Sequence, residues 1–168
     1  MNGAAPGVIL VVDDDPDDAV LFCMACRKVK VPYAVQVAGS GKEALDLLLE
    51  KRIAPLLTVL DIKMPGIDGL EVLRRLRADK ICRAAVVVVL TGSDLTSDRN
   101  AAAGLGCNLF LTKPTSFTGY LEIAQRIKSL LAVTTAAPVG EPAPCENGFI
   151  AREDAGNSRP LSFRAFHF

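Results

Sequence analysis

The chain has 168 residues, of which 50% are hydrophobic and 23% are charged, which suits one globular domain and excludes a largely disordered chain. Basic and acidic residues number 19 each, so the zero net charge offers no global field to attract nucleic acid or an anionic membrane. The longest apolar run, residues 84–90, is far shorter than the ~20 residues of a membrane span, and residues 1–7 lack a signal-peptide pattern. These features predict a soluble cytoplasmic protein.

Short apolar segments alternate along the chain with amphipathic segments of helical periodicity. The predicted strands span residues 8–12, 34–37, 56–60, 85–90 and 109–112. The predicted helices begin at Pro16, at Ser40 or Gly41 and at Asp68, and then span residues 95–103 and 117–131. Five strand–helix repeats predict right-handed crossovers and an α/β fold, a flavodoxin-like doubly wound five-stranded parallel sheet of order 2-1-3-4-5.

The composition changes after residue 132. We predict a folded domain at residues 8–132, an N-terminal tail at 1–7, and a flexible Pro/Ala-rich C-terminal tail at 133–168. Four of the seven phenylalanines lie in the last twenty residues, at positions 149, 163, 166 and 168. Two interpretations stay open for this end: an unstructured segment, or one that docks onto the domain or a partner.

Chemically distinctive side chains follow four of the predicted strands. Strand 1 is followed by Asp13, Asp14 and Asp15, strand 3 by Asp61, strand 4 by Thr91 and strand 5 by Lys113. Because ligands of open parallel sheets bind at the carboxyl ends of the strands, these groups are expected to meet at one edge. Each of these residues has an ordinary explanation when it is taken alone; the aspartates, for example, could cap a helix. Such explanations do not account for distinctive side chains at four strand ends on the same edge.

Clustered carboxylates need a compensating cation, and oxygen-only ligation suits Mg2+. Such a metal would neutralise an incoming phosphoryl group beside a carboxylate nucleophile. Lys113 could pair with the same phosphoryl group, and the Thr91 hydroxyl could donate a hydrogen bond to it. The pattern therefore predicts phosphoryl transfer onto a carboxylate.

Four motifs then resemble the receiver-domain family of response regulators, over about residues 8–131. They are Val11-Val12-Asp13-Asp14, Leu60-Asp61-Ile62-Lys63-Met64-Pro65-Gly66-Ile67-Asp68-Gly69, Leu90-Thr91-Gly92-Ser93 and Leu111-Thr112-Lys113-Pro114. The resemblance implies that Asp61 accepts the phosphoryl group. It also implies a Mg2+ site formed by Asp13, Asp14, Asp61 and the backbone carbonyl of Lys63.

The resemblance further assigns Thr91 as the switch hydroxyl, Lys113 as the phosphate-pairing amine and Phe110 as the switch aromatic. It implies a single-domain response regulator, not an enzyme with a separate substrate, which takes its phosphoryl group from a sensor histidine kinase. Thr91 and Phe110 would then shift the face made by helix 4, strand 5 and helix 5. The family commonly has a cis peptide before the proline that corresponds to Pro114.

Two segments resemble, more finely, the stand-alone receivers that serve phytochrome-type kinases: residues 13–18 and 41–48. That subgroup implies a homodimer formed through the last helix and the C-terminal extension. Three ways of passing on the signal stay open: binding of a downstream target protein, dimerisation, and relay to a histidine phosphotransfer protein. We also hypothesise that the Lys63 side chain slows or redirects dephosphorylation.

Other functions fit less well. Residues 39–42 lack the further glycine and hydroxyl residue of a nucleotide-binding P-loop, and Lys63 stands where a haloacid-type phosphatase has a second aspartate. The tail shows no helix-turn-helix pattern for binding DNA. Cys23 and Cys26 are interpreted as helix residues rather than a redox pair. The serious alternative is a receiver-like interaction module that is not phosphorylated.

Overall fold

A computed structural model of the chain describes residues 7–136, and within them five parallel strands form one sheet. The strands are β1 (Val8–Val12), β2 (Ala34–Ala38), β3 (Leu57–Leu60), β4 (Val87–Thr91) and β5 (Leu109–Thr112). Their order is 2-1-3-4-5, so the predicted flavodoxin-like fold is confirmed. From β1 the chain adds β2 on one side of the sheet and then β3, β4 and β5 on the other side. This change of side leaves a crevice at the carboxyl ends of β1 and β3.

Five helices connect or follow the strands. They are α1 (Pro16–Lys28), α2 (Gly41–Leu45), α3 (Gly69–Ala78), α4 (Thr96–Gly104) and α5 (Phe117–Ala136). A π-helical turn continues α2 over Asp46–Glu50, and a 3-10 turn covers Cys82–Ala84. The last helix continues past residue 132, so residues 133–136 are helical although the sequence assigned them to the tail. The Phe-rich end lies outside the described residues.

The two faces of the sheet pack against different helices because alternate strand residues point to opposite sides. On one face, Ile9 and Val11 of β1 pack with Phe22 of α1 and with Tyr120 and Ile127 of α5. On the other face, β1 contributes Leu10 and Val12 to a cluster with residues of α2 and α3, among them Ala44, Leu73 and Leu76. With both faces covered, every residue of β3 and β4, and all of β1 except Val8, is buried.

Polar side chains cap the first turns of α1 and α2. Asp15 accepts a hydrogen bond from the Asp17 amide at 2.9 Å and so caps α1, which leaves Asp13 and Asp14 for the site. Ser40 caps α2 through the Glu43 amide at 3.1 Å. This contact makes residues 39–42 a helix start, as the sequence predicted.

Strand β4 begins two residues later than predicted and includes Thr91. The Ala85 carbonyl, at the predicted start, accepts a hydrogen bond from the Arg77 guanidinium at 3.0 Å. The same guanidinium binds the Arg83 carbonyl at 3.1 Å, and the Ala85 amide donates to the Cys82 carbonyl at 2.9 Å. Backbone groups at the predicted start therefore bond to α3 and to the 3-10 turn, which local strand propensity does not indicate.

None of the helices within residues 7–136 is long and apolar enough to cross a membrane.

Gly69 fixes the distance between α3 and the carboxyl end of β3. Its amide donates to the Ile62 carbonyl at 3.0 Å, and a Cβ at this position would collide with the Asp61 carbonyl oxygen. The helix start can therefore lie directly against Asp61 only because residue 69 has no side chain.

Gly69→Ala should lower the free energy of unfolding by about 1–3 kcal/mol, because the new methyl group must displace the backbone around Asp61. Gly104→Ala is the matched control, since its Cβ would meet nothing within 4 Å and it lies at the end of α4. The control should leave stability unchanged or raise it by up to about 1 kcal/mol. Urea unfolding measures both; equal values for the two variants would contradict the close packing at Gly69.

Candidate functional site

Two buried carboxylates lie side by side at the carboxyl ends of β1 and β3. Asp13 follows Val12 and Asp61 follows Leu60. Val12 and Leu60, the last residues of the two strands, are paired in the sheet. Asp13 and Asp61 are 7% and 5% exposed, whereas Asp14 is open to solvent. One oxygen from each of the three aspartates lies within 4.8 Å of the other two. The strand pairing thus brings together the three carboxylates that the sequence predicts as metal ligands.

Lys113 brings an ammonium group into this acidic cluster from the end of β5. Its amide donates to the Thr91 carbonyl at 2.8 Å, which extends the β4–β5 ladder past the strand. Its Nζ lies 2.8 Å from Oδ2 of Asp13, of Asp18 and of Asp61. Burial by itself lowers the pKa of Lys113, but the hydrogen bonds to these three carboxylates raise it above its ordinary value. The lysine is therefore a permanent cation.

Tyr120 supports the ion cluster from α5. Its side chain is 1% exposed, and its hydroxyl donates to Asp18 Oδ1 at 2.7 Å. Burial and the hydrogen bond to Asp18 raise the pKa of Tyr120, so the phenol stays a donor. Burial of Asp18 favours its protonated form, but the hydrogen bonds from Lys113 and Tyr120 outweigh burial and lower the pKa of Asp18. Each oxygen of Asp18 thus has its own donor.

A second chain of contacts runs from Thr91 to the loop after β3. Thr91 is fully buried, and its Oγ1 accepts a hydrogen bond from the Ser93 amide at 3.3 Å. The Ser93 hydroxyl donates to Asp98 Oδ2, which also lies 2.8 Å from the Lys63 ammonium. The Lys63 amide in turn donates to Asp61 Oδ1 at 3.1 Å. The predicted hydroxyl and the predicted acceptor are therefore linked through α4.

Phe110, the predicted switch aromatic, is half-buried on β5. It packs against the small cluster of Ile62, Val89 and Ala102, which lies between the sheet and α4. The Arg99 guanidinium lies over its ring, 4.5 Å from the ring centre. This distance is within the range of a cation–π contact, so α4 holds the aromatic ring from outside.

Two further expectations concern backbone and thiol chemistry. The Lys113–Pro114 peptide is trans, because no peptide bond within the described residues is cis; the isomer common in the resembled family is not present.

Cys23 is half-buried on α1, and Cys26 is buried there in the core. Burial raises the pKa of Cys26 to about 12, so this thiol stays protonated and unreactive. These observations favour helix residues over a redox pair.

Sequence reasoning missed Asp18, Tyr120 and Asp98 as members of the site. Asp18 could have been found as an aspartate in the first turn of α1, which begins at the same strand end as Asp13 and Asp14. Tyr120 offered a weaker signal, a polar tip within the apolar stripe of α5. Asp98 gave no signal, because its contacts depend on how α4 lies over two loops.

The three candidate ligands are all carboxylates, and two of them are buried, which is the donor set that a hard cation such as Mg2+ prefers. Mg2+ is accordingly the cofactor that this pocket fits. A parallel sheet of order 2-1-3-4-5 with such a pocket, a strand-end lysine and a strand-end hydroxyl defines the phosphoacceptor signalling modules of two-component systems.

The chain belongs to the response regulator receiver domain family, whose model matches residues 9–125. It is 36% identical over 171 residues to response regulator MprA of Mycolicibacterium vanbaalenii, across 97% of this chain and 69% of that protein. The phosphorylated cyanobacterial phytochrome response regulator RcpA matches with a TM-score of 0.71 and 28% identity, over 77% of this chain and 96% of that one. The Mn2+-bound form of response regulator Rcp1 matches with a TM-score of 0.68 and 29% identity, over 74% and 93%. A sensor histidine kinase is thus the partner class.

Lys113→Met should destabilise the metal-free domain by about 1–3 kcal/mol, because Asp13 and Asp61 would lose the buried cation that lies 2.8 Å from both of them. Saturating Mg2+ should reverse much of this loss and stabilise the variant more than the wild type, since the ammonium no longer competes for the carboxylates. Thermal unfolding with and without Mg2+ measures both effects. A smaller Mg2+ stabilisation in the variant than in the wild type would contradict the competition.

Proposed function

We propose that Asp61 is the residue of this receiver domain that accepts the phosphoryl group of a sensor histidine kinase. The observation that supports this most directly is the position of Asp61, buried between two further aspartates and the Lys113 ammonium. In the transfer, an Asp61 carboxylate oxygen attacks phosphorus and the phosphorus–nitrogen bond of phosphohistidine breaks. The imidazole leaves and takes up a proton, and the product is an acyl phosphate.

The neighbouring groups support this chemistry by offsetting charge. Asp61 Oδ1 accepts from the Lys63 amide and Oδ2 from Lys113, so both carboxylate oxygens are oriented before transfer. Mg2+ held by Asp13, Asp14, Asp61 and the Lys63 carbonyl would supply further neutralisation of the phosphoryl oxygens. The domain in this proposal catalyses only its own phosphorylation and dephosphorylation. A purely binding module has no need for this arrangement.

Thr91 and Phe110 are proposed as the switch that reports phosphorylation. The Thr91 hydroxyl oxygen accepts a long hydrogen bond, 3.3 Å, from the Ser93 amide, and its own O–H can donate to a phosphoryl oxygen. Its shift would change the space beside Phe110, which lies on β5 and packs against Val89 of β4 and Ala102 of α4. The face formed by α4, β5 and α5 is then the proposed output surface, because Phe110 lies on β5 and packs against Ala102 of α4.

The similarity to RcpA and Rcp1 supports a phytochrome-type kinase as the phosphoryl donor, in the cytoplasm where ATP-dependent kinases act. Homodimerisation through α5 and the segment after it, and relay to a histidine phosphotransfer protein, are two outputs compatible with this role. Neither output is needed for phosphorylation of Asp61, so both are tested after it.

Incubation with acetyl phosphate and Mg2+ should add one phosphoryl group, about 80 Da, detectable by intact mass. Asp61→Asn should abolish the gain, because an amide is a poor nucleophile, and so should removal of Mg2+. A folded protein that gains no mass, from a donor active on a control receiver, would favour the binding-only module. A phosphohistidine donor is then the remaining test.

Lys63→Ala should change the rate at which the phosphorylated protein loses its label, with faster hydrolysis expected if the ammonium shields the acyl phosphate from water. The residue lies two positions after Asp61 and its ammonium is held beside the loop by Asp98. Lys80→Ala, which removes an exposed lysine after α3, is the control for loss of charge. Equal hydrolysis rates in wild type and Lys63→Ala would remove Lys63 from the mechanism.

A further inference from the structure

The Lys113 ammonium has three carboxylate partners, and they differ in one respect. Asp13 and Asp61 each also offer an oxygen to the cluster that fits Mg2+, whereas Asp18 is outside that cluster. Asp18 is therefore the one partner that Lys113 does not share with the metal. Its second oxygen is bound to the Tyr120 hydroxyl at 2.7 Å, and Tyr120 is 1% exposed.

Each oxygen of the two shared carboxylates, Asp13 and Asp61, already has a hydrogen-bond or ion-pair partner. Asp13 Oδ1 accepts from the Asp15 amide at 2.9 Å, and its Oδ2 lies 2.8 Å from Lys113 Nζ. Asp61 uses one oxygen for the Lys63 amide and the other for Lys113. A cation that coordinates these residues must therefore draw at least part of their charge away from Lys113, and its own charge repels the ammonium.

The fold holds Asp18 and Tyr120 firmly at this place. Asp18 lies in the first turn of α1, where the helix dipole favours a carboxylate. A Cβ on Gly119 would collide with Pro114, so the absence of a side chain lets the start of α5 approach the loop that carries Lys113. Tyr120 follows at once, and its ring packs in the same core as Phe22 of α1. Its hydroxyl thus comes from a rigid element.

We propose that Asp18, oriented by Tyr120, is a positioning residue that retains the Lys113 ammonium when Mg2+ and the phosphoryl group engage Asp13 and Asp61. This inference rests on the proposed function of the pocket. Asp18 stabilises the metal-bound state more than the metal-free state. In the metal-bound state it is the one partner that Lys113 does not share with the metal, whereas in the metal-free state Lys113 also has Asp13 and Asp61. Removing it therefore weakens Mg2+ binding, although Asp18 touches no metal.

The first test is the dissociation constant for Mg2+, measured by titration calorimetry on the full chain without phosphodonor. Asp18→Asn should weaken binding about three- to tenfold, the scale of one lost hydrogen bond to a charged group. Asp17→Asn is the matched control: an exposed aspartate in the same helical turn with the same change of charge. It should change the constant less than about twofold, because exposed charges are screened.

Tyr120→Phe separates positioning from charge. It removes only the hydroxyl that orients Asp18 and leaves the net charge and the buried ring unchanged, so a general electrostatic effect predicts no change. The proposal predicts weaker Mg2+ binding, by about two- to threefold, since Asp18 loses its anchor but keeps its charge. Circular dichroism and thermal unfolding verify that each variant is folded.

The Lys113→Met background tests the route of the effect. If Asp18 acts through the ammonium, adding Asp18→Asn to Lys113→Met should change Mg2+ affinity no more than adding Asp17→Asn. Equal effects of the Asp18 and Asp17 substitutions in the otherwise unchanged chain, or an effect of Asp18→Asn that persists in full without Lys113, would overturn the proposal.

The kinetic counterpart uses acetyl phosphate over a range of Mg2+ concentrations. Asp18→Asn should raise the Mg2+ concentration for half-maximal phosphorylation about three- to tenfold, in step with its weaker Mg2+ binding. A lower rate at saturation with unchanged Mg2+ dependence would contradict positioning through the metal equilibrium. Wild-type protein that binds Mg2+ but takes no phosphoryl group would refute the proposed function and leave the binding result for Asp18 standing.

Discussion

Carboxylates crowd the carboxyl edge of the sheet, and their mutual repulsion has to be offset if the domain is to fold without a metal. Asp13 and Asp61 are buried there, and a single ammonium, from Lys113, lies within 2.8 Å of both and of Asp18. Tyr120 and Lys63 contact this ion cluster directly, through Asp18 and Asp61. In the proposed function, a divalent cation or a phosphoryl group must redistribute the contacts of the same cluster.

The loop after β1 shows how closely spaced aspartates acquire different roles from their surroundings. Asp15 caps a helix, Asp13 is buried against β3, Asp14 is exposed, and Asp18 turns back toward Lys113 from the first turn of α1. Identical side chains within six positions thus cap a helix, join the carboxylate cluster that fits Mg2+, and bind the Lys113 ammonium. What distinguishes them is burial and the direction in which the backbone points each one.

The first turn of α4 joins two parts of the proposed switch. Asp98 binds Ser93 and Lys63, which flank the buried hydroxyl and the acceptor, while its neighbour Arg99 covers the ring of Phe110. Adjacent residues of one helix therefore contact both the loops around the pocket and the aromatic ring on β5. A shift of α4 would therefore alter all of these contacts together.

The sequence by itself determined the parallel sheet, its strand order and the strand ends at which the chemistry lies. These follow from local pattern: β-branched runs such as residues 8–12, helical periodicity between them, and polar residues directly after each strand. The assignment of Asp13, Asp14, Asp61 and Lys113 to one edge needed only the rule that parallel strands end together.

Only the tertiary structure decided which groups touch. The Tyr120–Asp18–Lys113 chain joins residues up to 102 positions apart, and the Lys63–Asp98 pair depends on how α4 lies over two loops. The contact between Arg77 of α3 and the Ala85 carbonyl, just before β4, is likewise a tertiary one. Periodicity determines which face of an element is buried, but side chains of 5–7 Å reach across elements, so their partners depend on packing angles and distances that no local pattern encodes.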